Sequence, residues 1–172
     1  QMANPRWLFM TCIILSLADV SFATDGYPRL KGVDILHYRI ELTIPEEGSE
    51  ITGHTVITAS ITTPSLESIP LDLGDLIVDG VTVGSKVTSY EHADGRLTVD
   101  IPETGSDRTV IEIAISYHGE PSDGLFITEN KFGHRTIFAD NFSNRAHHWF
   151  PGVDHPYDKA TAEFLITAPV AY

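Results

Sequence analysis

The chain has almost no cysteine, little basic charge and no long apolar run. Cys12 is the only cysteine among 172 residues, so an intramolecular disulfide and a cysteine-based zinc site are both excluded. Lys and Arg number 11 against 24 Asp and Glu, a formal net charge of −13. A field of that sign repels phosphate backbones, and nucleic acid is excluded as a natural partner. It also argues against an anionic membrane surface. The apolar run from Trp7 to Leu17 reaches little more than half of the roughly 20 residues a membrane span needs, so no transmembrane span is expected. A G-x-S-x-G nucleophile elbow is missing. So is H-E-x-x-H, the helical spacing that sets two imidazoles on one face to hold zinc. Heptads, internal repeats and low-complexity tracts are missing too.

What the apolar run does fit is a leader. Arg6 precedes it, and Ser21-Phe22-Ala23 follows with small residues at the −3 and −1 positions. That layout predicts a signal peptide over 1–23, cleaved after Ala23. The competing reading is a buried N-terminal helix. On the first reading the mature domain, 24–172, is free of cysteine and is secreted, periplasmic or at the cell surface.

Over the whole chain, hydrophobic residues at 42% and charged residues at 20% describe a folded protein. Its length allows burial of about two thirds of the unfolded surface. The dominant pattern has period two. Leu36, Tyr38, Ile40, Leu42 and Ile44 alternate with His37, Arg39, Glu41 and Thr43, the mark of a half-buried strand. Ile51 to Thr63 predicts a second strand, Leu71 and Leu73 a third and Ile77 to Val83 a fourth. Asp94-Gly95 predicts a hairpin turn. Leu97, Val99 and Ile101 follow on one face, then Val110 to Tyr117, and Glu163 to Thr167 comes last. The fold class is all-β: an antiparallel β-sandwich or saddle-shaped sheet.

The stretch from Gly119 to Pro156 departs from that rhythm, mixing Gly and Pro with aromatics and charges. Long irregular segments in compact domains are more often functional than idle. His147, His148 and His155 cluster here. In an extended chain His147 and His148 point to opposite sides, so hydrogen-bonded or surface histidines are the default over a metal site. Ser122 and Ser143 lack a strand-turn-helix setting. Asp154 and Asp158 could serve acid–base chemistry, but Asx turns and a pairing with Lys159 explain them as well. Asn141-Phe142-Ser143 fits a glycosylation sequon. The residues alone describe an exported, acidic β-domain without a self-sufficient catalytic constellation.

The segment from Phe138 to Pro156 resembles a signature of the aminopeptidase N family, zinc-dependent aminopeptidases of the gluzincin type. Their N-terminal β-domain carries T-Q-F-E-x-x-x-A-R-x-x-F-P-C-x-D-E-P followed by K-A-x-F. Phe150-Pro151, Asp154, Pro156 and Lys159-Ala160-Thr161 match it, and Arg145 belongs to the same stretch. Tyr117-His118-Gly119, Gly124-Leu125-Phe126, Leu36 to Leu42 and Thr52-Gly53-His54-Thr55 are similar to motifs that precede the signature in order. The resemblance covers about residues 33 to 172. Asp140 stands where the family has Gln, Phe142 where it has Glu, and Gly152 where it has Cys.

The resemblance implies an N-terminal β-domain, or part of one, that forms one wall of a peptide-binding cleft. Asp140 or Asn141 would then take the substrate-contacting role of the family Gln. The implied partners are the catalytic domain of the same polypeptide and a peptide substrate. Zinc is expected in that catalytic domain, with G-x-M-E-N and H-E-x-x-H; no cofactor is expected in this chain, which has neither motif and should be inactive alone. The rival expectation is a stand-alone secreted β-sandwich acting as a binding or adhesion module.

Overall fold

The computed structural model describes residues 25–102 and 109–169. The leader lies outside the described residues. Among the described residues eleven strands carry the fold: β1 Val33–Thr43, β2 Ile51–Ile61, β3 Ser68–Asp72, β4 Ile77–Val83, β5 Lys86–Val87, β6 Tyr90–Ala93, β7 Arg96–Asp100, β8 Thr109–Gly119, β9 Leu125–Glu129, β10 Arg135–Ala139 and β11 Thr161–Thr167. Among the described residues the only helical element is a 3-10 turn over Ala146–His148. The all-β reading is thus realised.

A six-stranded sheet in the order β11-β1-β2-β8-β4-β5 is the backbone of the domain. A three-stranded sheet, β3-β7-β6, and the hairpin β9-β10 complete it. All pairings are antiparallel except β1 with β11, which run parallel. Parallel neighbours need a long crossover, and residues 44–160 supply it. Nothing in a strand's own alternation reveals such a pairing.

Period two explains the inner face. On β2, Ile51, Gly53, Thr55, Ile57, Ala59 and Ile61 are all buried. On β8 the matching set is Ile113, Ile115 and Tyr117. β1 departs from the simple alternation: a register shift between Ile35 and His37 turns Leu36 outward and Ile35 inward. A bulge adds one unpaired residue and swaps faces behind it. Asp94 and Gly95 both have positive φ, 51° and 73°, as a type I′ hairpin turn requires.

The inner face is covered in two halves. The three-stranded sheet lays Ile69, Leu71, Leu97 and Val99 over Ile57, Ala59, Ile113 and Ile115. The hairpin and the segment after it cover Ile40, Leu42, Ile44 and Ile51 with Leu125 and Trp149. Tyr117 fills the middle of the face. Its ring lies against Gly53, where a Cβ would sit 2.1 Å from a ring atom, and its hydroxyl is 3.2 Å from Thr55 Oγ1. The outer face stays polar, with His54 Nδ1 3.0 Å from Ser116 Oγ and Arg39 paired to Glu41 and Glu163.

Candidate functional site

The segment from Gly119 to Pro156 is less irregular than its composition suggests. Strands β9 and β10 lie inside it, with Leu125, Ile127 and Ile137 facing inward and Phe126 stacked on Phe138 outside, centroids 4.9 Å apart. Their turn is closed by Asn130, whose Oδ1 accepts the backbone N–H groups of Phe132 and His134. An apolar run on either side of an Asn-to-Gly turn was the available signal.

The signature loop follows β10. Asp140 donates its backbone N–H to Gly124 O at 2.8 Å. Gly124 has φ +75°, and a Cβ there would sit 2.1 Å from Arg145 O. Only glycine allows the two backbones to come so close. The Asp140 carboxylate accepts the N–H of Phe142 and pairs with Arg145 Nη1 at 3.3 Å. Arg145 also reaches Asp123 at 3.6 Å. Asn141 Oδ1 accepts the Trp149 indole N–H at 2.9 Å.

Trp149 is 3% exposed. It meets Phe150 edge-on at 4.7 Å and stacks on Phe164 of β11 at 5.9 Å. Phe150 in turn meets Tyr38 at 6.4 Å. Pro151 directs the chain to Gly152, which forms an antiparallel bridge to Asp72. A Cβ on Gly152 would come within 3.1 Å of the Tyr38 ring, tighter than ordinary contact. Tyr38 as it lies here favours glycine at the position where the resembling family has cysteine.

Asp154 is the loop's inward anchor. Its N–H donates to Asp72 Oδ2 at 2.9 Å. Its own Oδ2 accepts the His147 backbone N–H and lies 2.7 Å from His147 Nδ1. Lys159 is exposed and pairs with neither Asp154 nor Asp158, contrary to the sequence expectation; His147 takes its place at Asp154. Burial, with Asp34 nearby, raises Asp158 above the ordinary carboxylate range. Pro156 is exposed at the far end.

Sequence reading missed the residue at the centre. Asp72 ends β3 and is 8% exposed. It accepts from Tyr27 Oη and Asp154 N–H, pairs with Arg96 at 3.1 Å, and bridges Gly152 through its backbone. The signal was there as a single acidic residue between Leu71 and Leu73. Tyr27 stacks on His155 at 4.5 Å, so the strap before β1 is tied to the same place. Burial pushes the hydroxyls of Tyr27 and Tyr38 far above the ordinary phenol range, and both stay neutral: Tyr27 donates to Asp72, and Tyr38 accepts the Val153 N–H.

The two adjacent histidines correct another expectation. They lie in the 3-10 turn rather than an extended strand, so their rings are together, 4.1 Å between centroids. Their Nδ1 atoms still face different partners, Asp154 and Ser122. Among the described residues no group of three or more His, Cys, Asp or Glu is placed to hold a metal ion.

Beside the loop lies an open groove of about 410 Å³, lined by Leu42, Ile44, Ile137, Asn141, Trp149 and Phe164 among others. Phe142 stands next to it, 82% exposed. Candidate residue Asn141 is thus at the groove, and Asp140 precedes it. Arg145, Phe150, Pro151 and Asp154 are brought together as the frame behind it.

A mixed β-sheet domain with a tightly braced loop beside an apolar groove is the class that this fold and site define. The sequence matches the Peptidase M1 N-terminal domain over residues 35–172, and the chain belongs to that family. The fold is similar to that of the M1 zinc metallopeptidase from Deinococcus radiodurans, at TM-score 0.68 and 24% identity, covering 82% of this chain and 33% of that one. It is also similar to yeast LTA4 hydrolase, at TM-score 0.68 and 20% identity, covering 80% of this chain and 23% of that one. The chain therefore spans a third or less of these solved relatives. No curated protein matches it in sequence.

Proposed function

We propose that this domain is the non-catalytic N-terminal part of an exported zinc aminopeptidase, where it forms one wall of the peptide-binding cleft. The observation that carries the reading is the braced loop: Asp140 and Asn141 follow β10 beside an apolar groove, within a segment that matches the family. Asp140 is neutralised by Arg145 and serves mainly to shape the turn. Asn141 gives its oxygen to Trp149, which leaves its amide N–H groups to donate to a peptide carbonyl. The chemistry belongs to the catalytic domain, whose zinc would activate water for attack on the peptide bond. The residues described here do not fit a zinc site, so no step of that reaction is assigned to them. Export rests on the leader at 1–23.

The test is the domain joined to the polypeptide that follows it in the gene. Zinc-dependent release of N-terminal residues is expected from the joined protein and none from residues 24–172 alone. Asn141→Ala in the joined protein should raise KM about 3- to 10-fold, the net worth of one hydrogen bond, with kcat little changed. A joined protein without zinc-dependent turnover would favour the stand-alone binding module instead. An unaltered KM would remove Asn141 from the cleft.

A further inference from the structure

One cluster of titratable groups takes no part in the function proposed above. His147 and His148 follow each other in the 3-10 turn with their rings 4.1 Å apart. Each is held on its own side. His147 Nδ1 is 2.7 Å from Asp154 Oδ2, and His148 Nδ1 is 2.8 Å from Ser122 Oγ. Gly74 backs the pair: its N–H donates to His147 O at 2.7 Å, and a Cβ there would come within 3.0 Å of His148 Nδ1. His148 thus lies close against the connection between β3 and β4.

The charged groups around them come from four elements. Asp154 lies on the signature loop, Asp72 at the end of β3, Asp75 between β3 and β4, and Asp123 between β8 and β9. Arg145 begins the turn but is engaged by Asp123 and Asp140. His92 of β6 bonds the carbonyl next to Gly74, its Nε2 3.2 Å from Leu73 O.

We infer that His147 and His148 form a one-proton latch, which holds the loop from Asp140 to Asp154 while the pair carries a single proton and releases it when a second is taken up. With one proton on His147, its bond to Asp154 is charge-assisted, and neutral His148 accepts from the Ser122 hydroxyl. A second proton places two cations 4.1 Å apart, and among the described residues Asp154 is the only carboxylate bonded directly to either ring. Like charges at that separation repel strongly in a partly buried site. The bond to Asp154 raises His147 above its ordinary value of 6.5, and burial with the neighbouring His147 charge lowers His148 below it. The signs then oppose. The His147 contribution is present below pH 6.5 and fades as pH rises through its raised folded value. The His148 contribution is lost as pH falls below 6.5 toward its depressed folded value. The loop is held most firmly between the two. The pair titrates as a unit, in two separated steps. This holds whether or not the domain serves a peptidase.

The reporter is Trp149, whose backbone N–H bonds Ala146 O and whose indole N–H bonds Asn141. Hydrogen exchange at both, measured by NMR on the full chain and corrected for intrinsic rate, should show greatest protection near pH 6.5. Protection should fall toward pH 5 by about tenfold for each unit by which His148 is depressed. His148→Gln should abolish the acid fall and keep the alkaline one; His147→Gln should abolish the alkaline fall and shrink the acid one, because burial still depresses His148 but the repelling cation is gone. An acid fall unchanged in His148→Gln, or flat protection from pH 5 to 8 in the wild type, would overturn the latch. Direct NMR titration of the two imidazoles in the wild type needs no variant. Two well-separated steps support the inference, and coincident titration near 6.5 refutes it.

Discussion

Replacing Asp72 by Ala tests whether the brace around the signature loop is as important as its geometry implies. The substitution takes the acceptor from Tyr27 Oη and from the Asp154 N–H, and the partner from Arg96. The Arg96 side chain is 32% exposed, so water largely replaces that interaction and it counts for little. The two other donors are part-buried, and leaving each unsatisfied costs about 1–3 kcal/mol. A loss of about 3–4 kcal/mol is expected, a large share of the 5–15 kcal/mol that holds a domain together. At about 2–4 °C per kcal/mol for a domain of this size, Tm should drop by roughly 10 °C. Urea melts of residues 24–172 should show a lower midpoint with an unchanged slope. Tyr27→Phe removes one donor cleanly, and a double-mutant cycle with Asp72→Ala should give a coupling of about 1–2 kcal/mol. A loss under 1 kcal/mol for Asp72→Ala, or additivity in the cycle, would show that the loop is braced elsewhere.

Gly53→Ala should cost at least about 3 kcal/mol by calorimetry, because the new Cβ meets the Tyr117 ring at 2.1 Å and a buried aromatic has nowhere to shift; Tyr117→Leu in that background should recover part of the loss. Export followed by N-terminal sequencing should give a mature chain beginning at Thr24, and a chain still starting near Met2 would refute the leader. Metal analysis and a chromogenic aminopeptidase assay on residues 24–172 should find neither bound zinc nor turnover. Light scattering on the same protein should show self-association. All seven β11 residues are exposed, Phe164 by 49%, and a free strand edge recruits other chains. A monodisperse monomer would count against that reasoning.

Much of the sheet was legible because one face is buried and the other is not. β2 and β8 announce themselves by alternation alone, and the Asp94-Gly95 turn by its need for positive φ. Three things were not legible, each for a local reason. The bulge at Leu36 leaves the hydrophobic count unchanged while reversing which residue is inside. The parallel pairing of β11 depends on a crossover far away in sequence. Strands β9 and β10 are only five residues each, too short for a pattern to stand out amid glycine and aromatics. The candidate site was legible only in outline. The motif located the loop, but Asp72, Tyr38 and Tyr27 come to it from other parts of the chain.

The distribution of hydrogen bonds around that loop says what its signature is for. Arg145 is spent on Asp123 and Asp140, Asp154 on His147, and the Asn141 oxygen on Trp149. Phe150 and Pro151 turn the chain inward to its bridge with Asp72. Almost every polar group of the motif is therefore directed back into the loop, and none is left as a free acid, base or nucleophile aimed at the groove. A sequence can hold such residues in a fixed pattern for geometry alone, since a loop that must keep its place to within fractions of an ångström needs its rotamers locked by neighbours. What remains outward is the face of Phe142, the Phe126–Phe138 stack and the unused N–H groups of Asn141. Those are apolar faces and donors on the exposed side of the loop, and the proposed cleft-wall role rests on them.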